Sequence, residues 1–179
     1  MLSKDELINL LSEDVEAFNT EIKNAKGGVD LSETDFSNLT LEGVDFVNAD
    51  FTSSSFADSH LTEVKFDGCD LTSVDFTRAS VLECDFTDSL LTGADCSYAH
   101  MTYCNFAGCD LAGCILSETV LTSSDFTSAE NLASARYDED TQWPESDLMP
   151  NDFDSELHED LSALKDDEED SVVRGDGEY

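Results

Sequence analysis

The chain has 179 residues, with 42 Asp and Glu against 8 Lys and Arg, for a formal net charge of −34. Such an excess of acid excludes direct binding to nucleic acid and to anionic membrane surfaces, because both need Lys and Arg to neutralise phosphate. The length suits one domain with appendages, no apolar run reaches membrane-spanning length and the N-terminus has no signal-peptide pattern, so a cytoplasmic chain is expected.

Residues 1–28 read as a helical cap. Ser3 and Glu6 have the spacing of a capping box, and Leu7, Leu11, Val15, Phe18 and Ile22 form one apolar stripe. Gly27 and Gly28 end the helical pattern, while Ser12, Glu13 and Asp14 offer the start of a second helix. A stripe in this place suits a lid over the open edge of the element that follows.

Residues 29–128 are a repeat. From Leu31 to Phe126 a large apolar residue returns at every fifth position without a break. A period of five fits neither a helix nor a simple strand; it needs a short strand plus a turn, the unit of a solenoid. Taking the large residue as position i, residue i−2 is small almost throughout (Ala49, Ser54, Cys69, Ala94, Ser124), with Leu39 the main exception. Alternate strand residues share a face, so i−2 and i both point inward. Every glycine of the stretch, Gly43, Gly68, Gly93, Gly108 and Gly113, falls at i+2, beside Asn38, Asn48, Asp58 and Asp88, which marks i+2 as the corner. Phe46, Phe66, Phe86, Phe106 and Phe126 recur every twenty residues. Four repeats therefore make one coil of a square tube, and residues twenty apart stack at strand spacing, about 4.8 Å.

The repeats read Val-Asp-Phe, Ala-Asp-Phe, Cys-Asp-Leu and so on. They resemble the pentapeptide-repeat family, whose pattern is small, Asp or Asn, Leu or Phe, polar, any. The resemblance spans about 100 residues. It implies an all-β fold: a right-handed quadrilateral parallel β-helix of about five coils.

Beyond Phe126 the register slips by one, to Leu132 and Tyr137. Residues 129–165 are expected to form a C-terminal cap: the segment from Tyr137 to Pro144 resembles the closing segment of bacterial members of the family, which implies that Tyr137 and Trp143 cover the last coil. Phe153, Leu157, Leu161 and Leu164 have helical spacing, suited to a short helix on the terminal coil or to a dimer contact. Residues 166–179 are acidic and poor in apolar groups, the composition of a disordered tail.

Little in the sequence carries chemistry. Cys69, Cys84, Cys104, Cys109 and Cys114 all occupy i−2 and Cys96 occupies i, the places of small buried hydrophobes. His60 and His100 share a column but lie two coils apart, too far for a common metal or proton relay. No nucleophile elbow, phosphate loop or dinucleotide fingerprint appears, so no catalytic residue, cofactor or metal is expected. Asp30, Asp50, Asp70 and Asp110 line one column, interrupted by Leu90, and suit hydrogen bonding to the backbone of the corners.

Unrolling the tube singles out one face. The third, centred on Leu41, Leu61, Val81, Met101 and Leu121, carries only Glu42, Glu63 and Glu83 and no acid over its last two coils. Leu82, His100, Tyr103 and Val120 point outward there, with Tyr98 at the adjoining corner. An apolar and aromatic patch rimmed by acid has the composition of an interface. Two functions follow as expectations: a non-enzymatic protein–protein interaction scaffold, binding a protein partner or forming a homodimer, or an acidic DNA mimic that binds DNA gyrase or topoisomerase, as the resemblance to quinolone-resistance members implies.

Overall fold

The structure, a computed structural model, describes residues 2–25 and 27–153. Leu157, Leu161 and Leu164 of the expected short helix and the acidic segment 166–179 lie outside the described residues.

The N-terminal cap is two helices, α1 (Lys4–Glu13) and α2 (Val15–Asn24). Ser3 and Glu6 close a capping box, the Glu6 N–H donating to Ser3 Oγ and the Ser3 N–H to Glu6 Oε2. Asp14, not Ser12, starts α2: its extended backbone ends α1, and its carboxylate accepts the Ala17 N–H at 2.9 Å. Ser12 lies inside α1, where its hydroxyl donates back to the Asn9 carbonyl. Leu7, Leu11, Phe18 and Ile22 are buried, and Phe18 meets Phe46 edge-on, with ring centroids 5.5 Å apart. Asn19 holds the first coil's edge as a strand would. Its amide donates to the Gly43 carbonyl and accepts from the Asp45 N–H, both at 2.9 Å. Between cap and coil, Gly28 has a φ of +85°, and a Cβ there would lie 2.5 Å from the Asn48 carbonyl oxygen. Only glycine fits at this crossing.

Residues 29–130 wind in register. The Leu31 N–H donates to the Asp50 carbonyl at 2.7 Å and the Asp50 N–H to the Val29 carbonyl at 2.8 Å, a parallel ladder repeated coil after coil. The interior holds the predicted columns. Phe46, Phe66, Phe86, Phe106 and Phe126 stack at centroid distances of 5.5, 5.1, 5.0 and 4.4 Å. Phe36, Phe56 and Phe76 stack beside them and meet the first ladder edge to face. Cys96 and Leu116 continue that second column where rings end, and all six cysteines are buried free thiols. Leu39 departs from its expected inward place: it is 41 % exposed, while valine, as at Val44, Val64 and Val74, is the largest side chain buried at i−2.

Corner chemistry explains the repeat. Every i+2 position from Glu33 to Ser123 has positive φ, at glycine and non-glycine residues alike. The aspartate at i−1 accepts the N–H two residues on, as Asp50 does from Thr52 and Asp70 from Thr72, so the acid columns fasten the corners. Most corners also close with an i to i+3 backbone bond, as when Ala49 N–H donates to the Phe46 carbonyl at 3.0 Å.

The third face differs. It has no aspartate at i−1, and the corners after Leu41, Leu61, Val81 and Met101 form no such backbone bond. These corners still turn at a left-handed i+2 residue, and the three residues before each form the regular strands: β1 (Thr40–Glu42), β2 (His60–Thr62), β3 (Ser80–Leu82) and β4 (His100–Thr102), one parallel sheet in chain order. Side chains from the next coil reach into open corners. Ser124 Oγ donates to the Met101 carbonyl at 2.8 Å and accepts the Cys104 N–H at 2.9 Å; Ser54 does the same for Leu31 and Thr34 on the first face. The Cys84 and Cys104 thiols reach the Leu61 and Val81 carbonyls at 3.7 Å.

The rod is longer than the repeat. After five regular coils the ladder runs through a sixth: Asp110 bridges to Glu130, Ile115 to Arg136 and Val120 to Gln142, and the Phe126 N–H reaches the Leu148 carbonyl at 2.8 Å. A 3-10 turn at Leu132–Ser134 absorbs the inserted residue. Backbone pairing tolerates this loss of the side-chain pattern, which is why five coils were legible and six are present. Trp143 meets Phe126 at 6.1 Å, and Tyr137 and Phe153 pack on Trp143 at 5.1 and 4.9 Å, covering the far end.

Candidate interaction surface

The outward residues of the third face form stacked columns. Register places His60, Ser80 and His100 in one, continued by Val120 and Gln142, and Thr62, Leu82 and Thr102 in the next. His60 and His100 are thus separated by Ser80. Tyr98 and Tyr103 belong to the two corner columns that border this face, so on coil four they stand at opposite edges of β4, with His100 between them.

These residues are where exposure concentrates. Tyr103 is 63 % exposed, Tyr98 47 % and Leu82 36 %; His100 is exposed and Val120 half-buried. Leu82 lies one coil before His100 and Val120 one coil after it, so the five sequence-predicted residues are brought into one patch. Leu90, 44 % exposed, stays outside it, on the first face between Asp70 and Asp110. Both tyrosines hold left-handed backbone, φ 62° and 58°, where glycine or asparagine is the default. Each such residue costs roughly 1 kcal/mol or more relative to glycine. Neither ring stacks on another aromatic among the described residues, so the fold gains little in exchange.

Acid rims the patch. Glu63 and Glu83 precede Tyr103 in one corner column, and Glu118 follows Tyr98 in the other. Glu118 is a rim residue that composition alone does not single out, because it belongs to a second-face repeat. One coil before Tyr98, Arg78 is locked by two 2.8 Å bonds to the Asp58 carboxylate, a pairing that holds Asp58 below the usual carboxylate range. Among the described residues neither Glu83 nor Glu118 has a cationic partner.

Elsewhere the surface offers less. A cleft of about 700 Å³ lies between the end of α2 and the fourth face, lined by Lys23, Gly28, Asp45 and Asn48 among others; its Asp45 is already paired with Lys65 at 2.9 Å. Burial pushes the Cys69, Cys84 and Cys109 thiols up to about 12, so none is a thiolate nucleophile near neutral pH. Among the described residues no three His, Cys, Asp or Glu side chains are placed to hold a metal, and no helix is long and apolar enough to cross a membrane.

The square coil, inward columns and positive-φ corners define a right-handed quadrilateral β-helix. Two family profiles match the chain, "Pentapeptide repeat region" over residues 27–95 and "Pentapeptide repeats (8 copies)" over residues 104–136. The chain belongs to the pentapeptide-repeat family. No curated protein sequence matches it significantly. Among solved structures it is similar to the pentapeptide repeat protein Rfr23 of the cyanobacterium Cyanothece 51142, with 17% identity, 65% of this chain and 85% of that one covered, and a TM-score of 0.36. It is also similar to alr5209 of Nostoc Pcc 7120, with 23% identity, 51% and 75% covered, and a TM-score of 0.42. A third is QnrB1, a plasmid-mediated fluoroquinolone resistance protein, with 15% identity, 62% and 78% covered, and a TM-score of 0.33. Family membership rests on the matched profiles and the register.

Proposed function

We propose that this protein is a non-enzymatic protein–protein interaction scaffold whose contact surface is the third face around coil four. The observation that carries this reading is the gathering of Leu82, Tyr98, His100, Tyr103 and Val120 on the one face without a corner aspartate column. A rod filled by stacked rings suits presentation of a fixed surface, and an aromatic centre with a charged rim suits a protein partner. Six buried free thiols fit a reducing compartment, and we place the protein in the cytoplasm.

The test changes Tyr103→Ser and Val120→Lys and measures partner capture and self-association beside the melting curve. Lost association at unchanged stability supports the surface; association and stability both unchanged removes it. Acid columns on three faces favour one second reading, an acidic mimic of DNA acting on gyrase or topoisomerase. A supercoiling assay with and without a quinolone decides it: no change at micromolar protein eliminates the mimic.

A further inference from the structure

Resting on that reading of the third face, we infer that its partner is a basic protein segment that places an arginine side chain on coil four, stacked on Tyr98 or Tyr103 and paired with Glu118 or Glu83. The chemistry follows from the two edges of β4. Each edge sets an exposed phenol ring beside a carboxylate one coil away: Tyr98 with Glu118 following, Tyr103 with Glu83 preceding. A ring face attracts a cation and a planar guanidinium stacks on it, while the adjacent carboxylate takes its N–H groups. Lysine offers a compact, strongly hydrated charge that uses the ring less well.

The same corner column already holds a guanidinium. Arg78, one coil before Tyr98, gives two N–H groups to Asp58 across consecutive coils, each at 2.8 Å. That pair shows that a carboxylate in this column is spaced to take a guanidinium two-pronged. Arg78 satisfies Asp58, and the column's next acid, Glu118, has no cation among the described residues. Net charge selects against a second copy as the occupant. Two chains of −34 repel, whereas a basic segment is drawn to the patch.

The experiment uses the full chain and three ten-residue peptides, identical except that they carry arginine, lysine or neutral citrulline, with affinity measured at about 0.15 M salt to suppress general polyanion binding. Arginine is expected to bind about tenfold more tightly than lysine, and citrulline to bind weakly. Tyr98→Gly with Tyr103→Gly should erase the arginine preference while leaving the melting temperature unchanged or higher, because glycine suits both corners. Glu83→Gln with Glu118→Gln should weaken arginine binding about tenfold. The control Asp50→Asn with Asp70→Asn, on the first face opposite the third and with the same change of charge, should leave it unaltered. Equal binding of the arginine and lysine peptides, arginine binding that survives the double glycine variant, or an equal loss in the control each overturns the inference. If partner capture still depends on Tyr103 and Val120 in that event, the interaction surface stands and only its arginine chemistry falls.

Discussion

One hydroxyl at Ser124 serves two backbone groups of the coil before it, the Met101 carbonyl and the Cys104 N–H. Removing it leaves both buried and unpaired, so Ser124→Ala is expected to cost roughly 2–4 kcal/mol. Ser59 is the contrast. It holds the same i−2 place, and its Oγ is the one buried side-chain oxygen or nitrogen without a partner among the described residues. Ser59→Ala should be neutral or slightly stabilising, and urea denaturation of the two variants checks both statements. Thiol behaviour is set at this scale too. Cys69, Cys84 and Cys109 rise in the fold from an ordinary value of 9.0 to about 12, mainly through burial. The folded state then keeps protons that the unfolded chain releases, so stability is complete below pH 9 and declines as pH rises from 9 towards 12. Melting temperature followed from pH 7 to pH 11 should fall above 9. A flat profile would show that these thiols are not buried.

Within the coils, the phenylalanine ladder carries the interior. Phe86 stacks on Phe66 and Phe106 and meets Phe76 edge-on. Phe86→Ala should cost roughly 3–5 kcal/mol by cavity formation, measured by chemical denaturation, and a neutral result would place the ladder outside the core. The cap meets the coil at Gly28. Gly28→Ala forces a Cβ against the Asn48 carbonyl and strains a φ of +85°, so the cap must shift and Asn19 must loosen its hold on the first edge. Faster hydrogen exchange at Asp45, whose N–H the Asn19 amide accepts, is the expected signature. Unchanged exchange there would mean that the cap does not protect the edge.

For the molecule as a whole, charge opposes the fold. Acids stack one strand apart, as Asp30, Asp50 and Asp70 do, with a net charge of −34 behind them. Raising salt from about 0.1 to 1 M shortens the screening length from about 10 to 3 Å, which should raise the melting temperature. A melting temperature that fell or stayed constant across that range would assign those acids to local corner bonding alone. The ion pairs Lys4–Asp30, Lys65–Asp45 and Arg78–Asp58 weaken with the same screening, but they are few beside the unpaired acids.

The square coil, its inward columns and the corner at i+2 were legible in the sequence because each follows from local demands repeated every five residues: a large side chain, a small one, and a turn residue. The outward placement of Leu82, Tyr98, His100, Tyr103 and Val120 on or beside the third face was legible for the same reason, since a fixed register sends each residue to a known face. Other features were decided by tertiary structure. Which corners stay open, and that Ser54 and Ser124 bridge them, depends on partners twenty or more residues away that meet only when coils stack. The sixth coil was hidden because backbone hydrogen bonds ignore side-chain identity, so the ladder outlasts the pattern that announces it. Which corner carboxylates keep a cation is likewise settled by stacking: the Arg78 guanidinium lies across Asp58 and leaves Glu118 without one among the described residues.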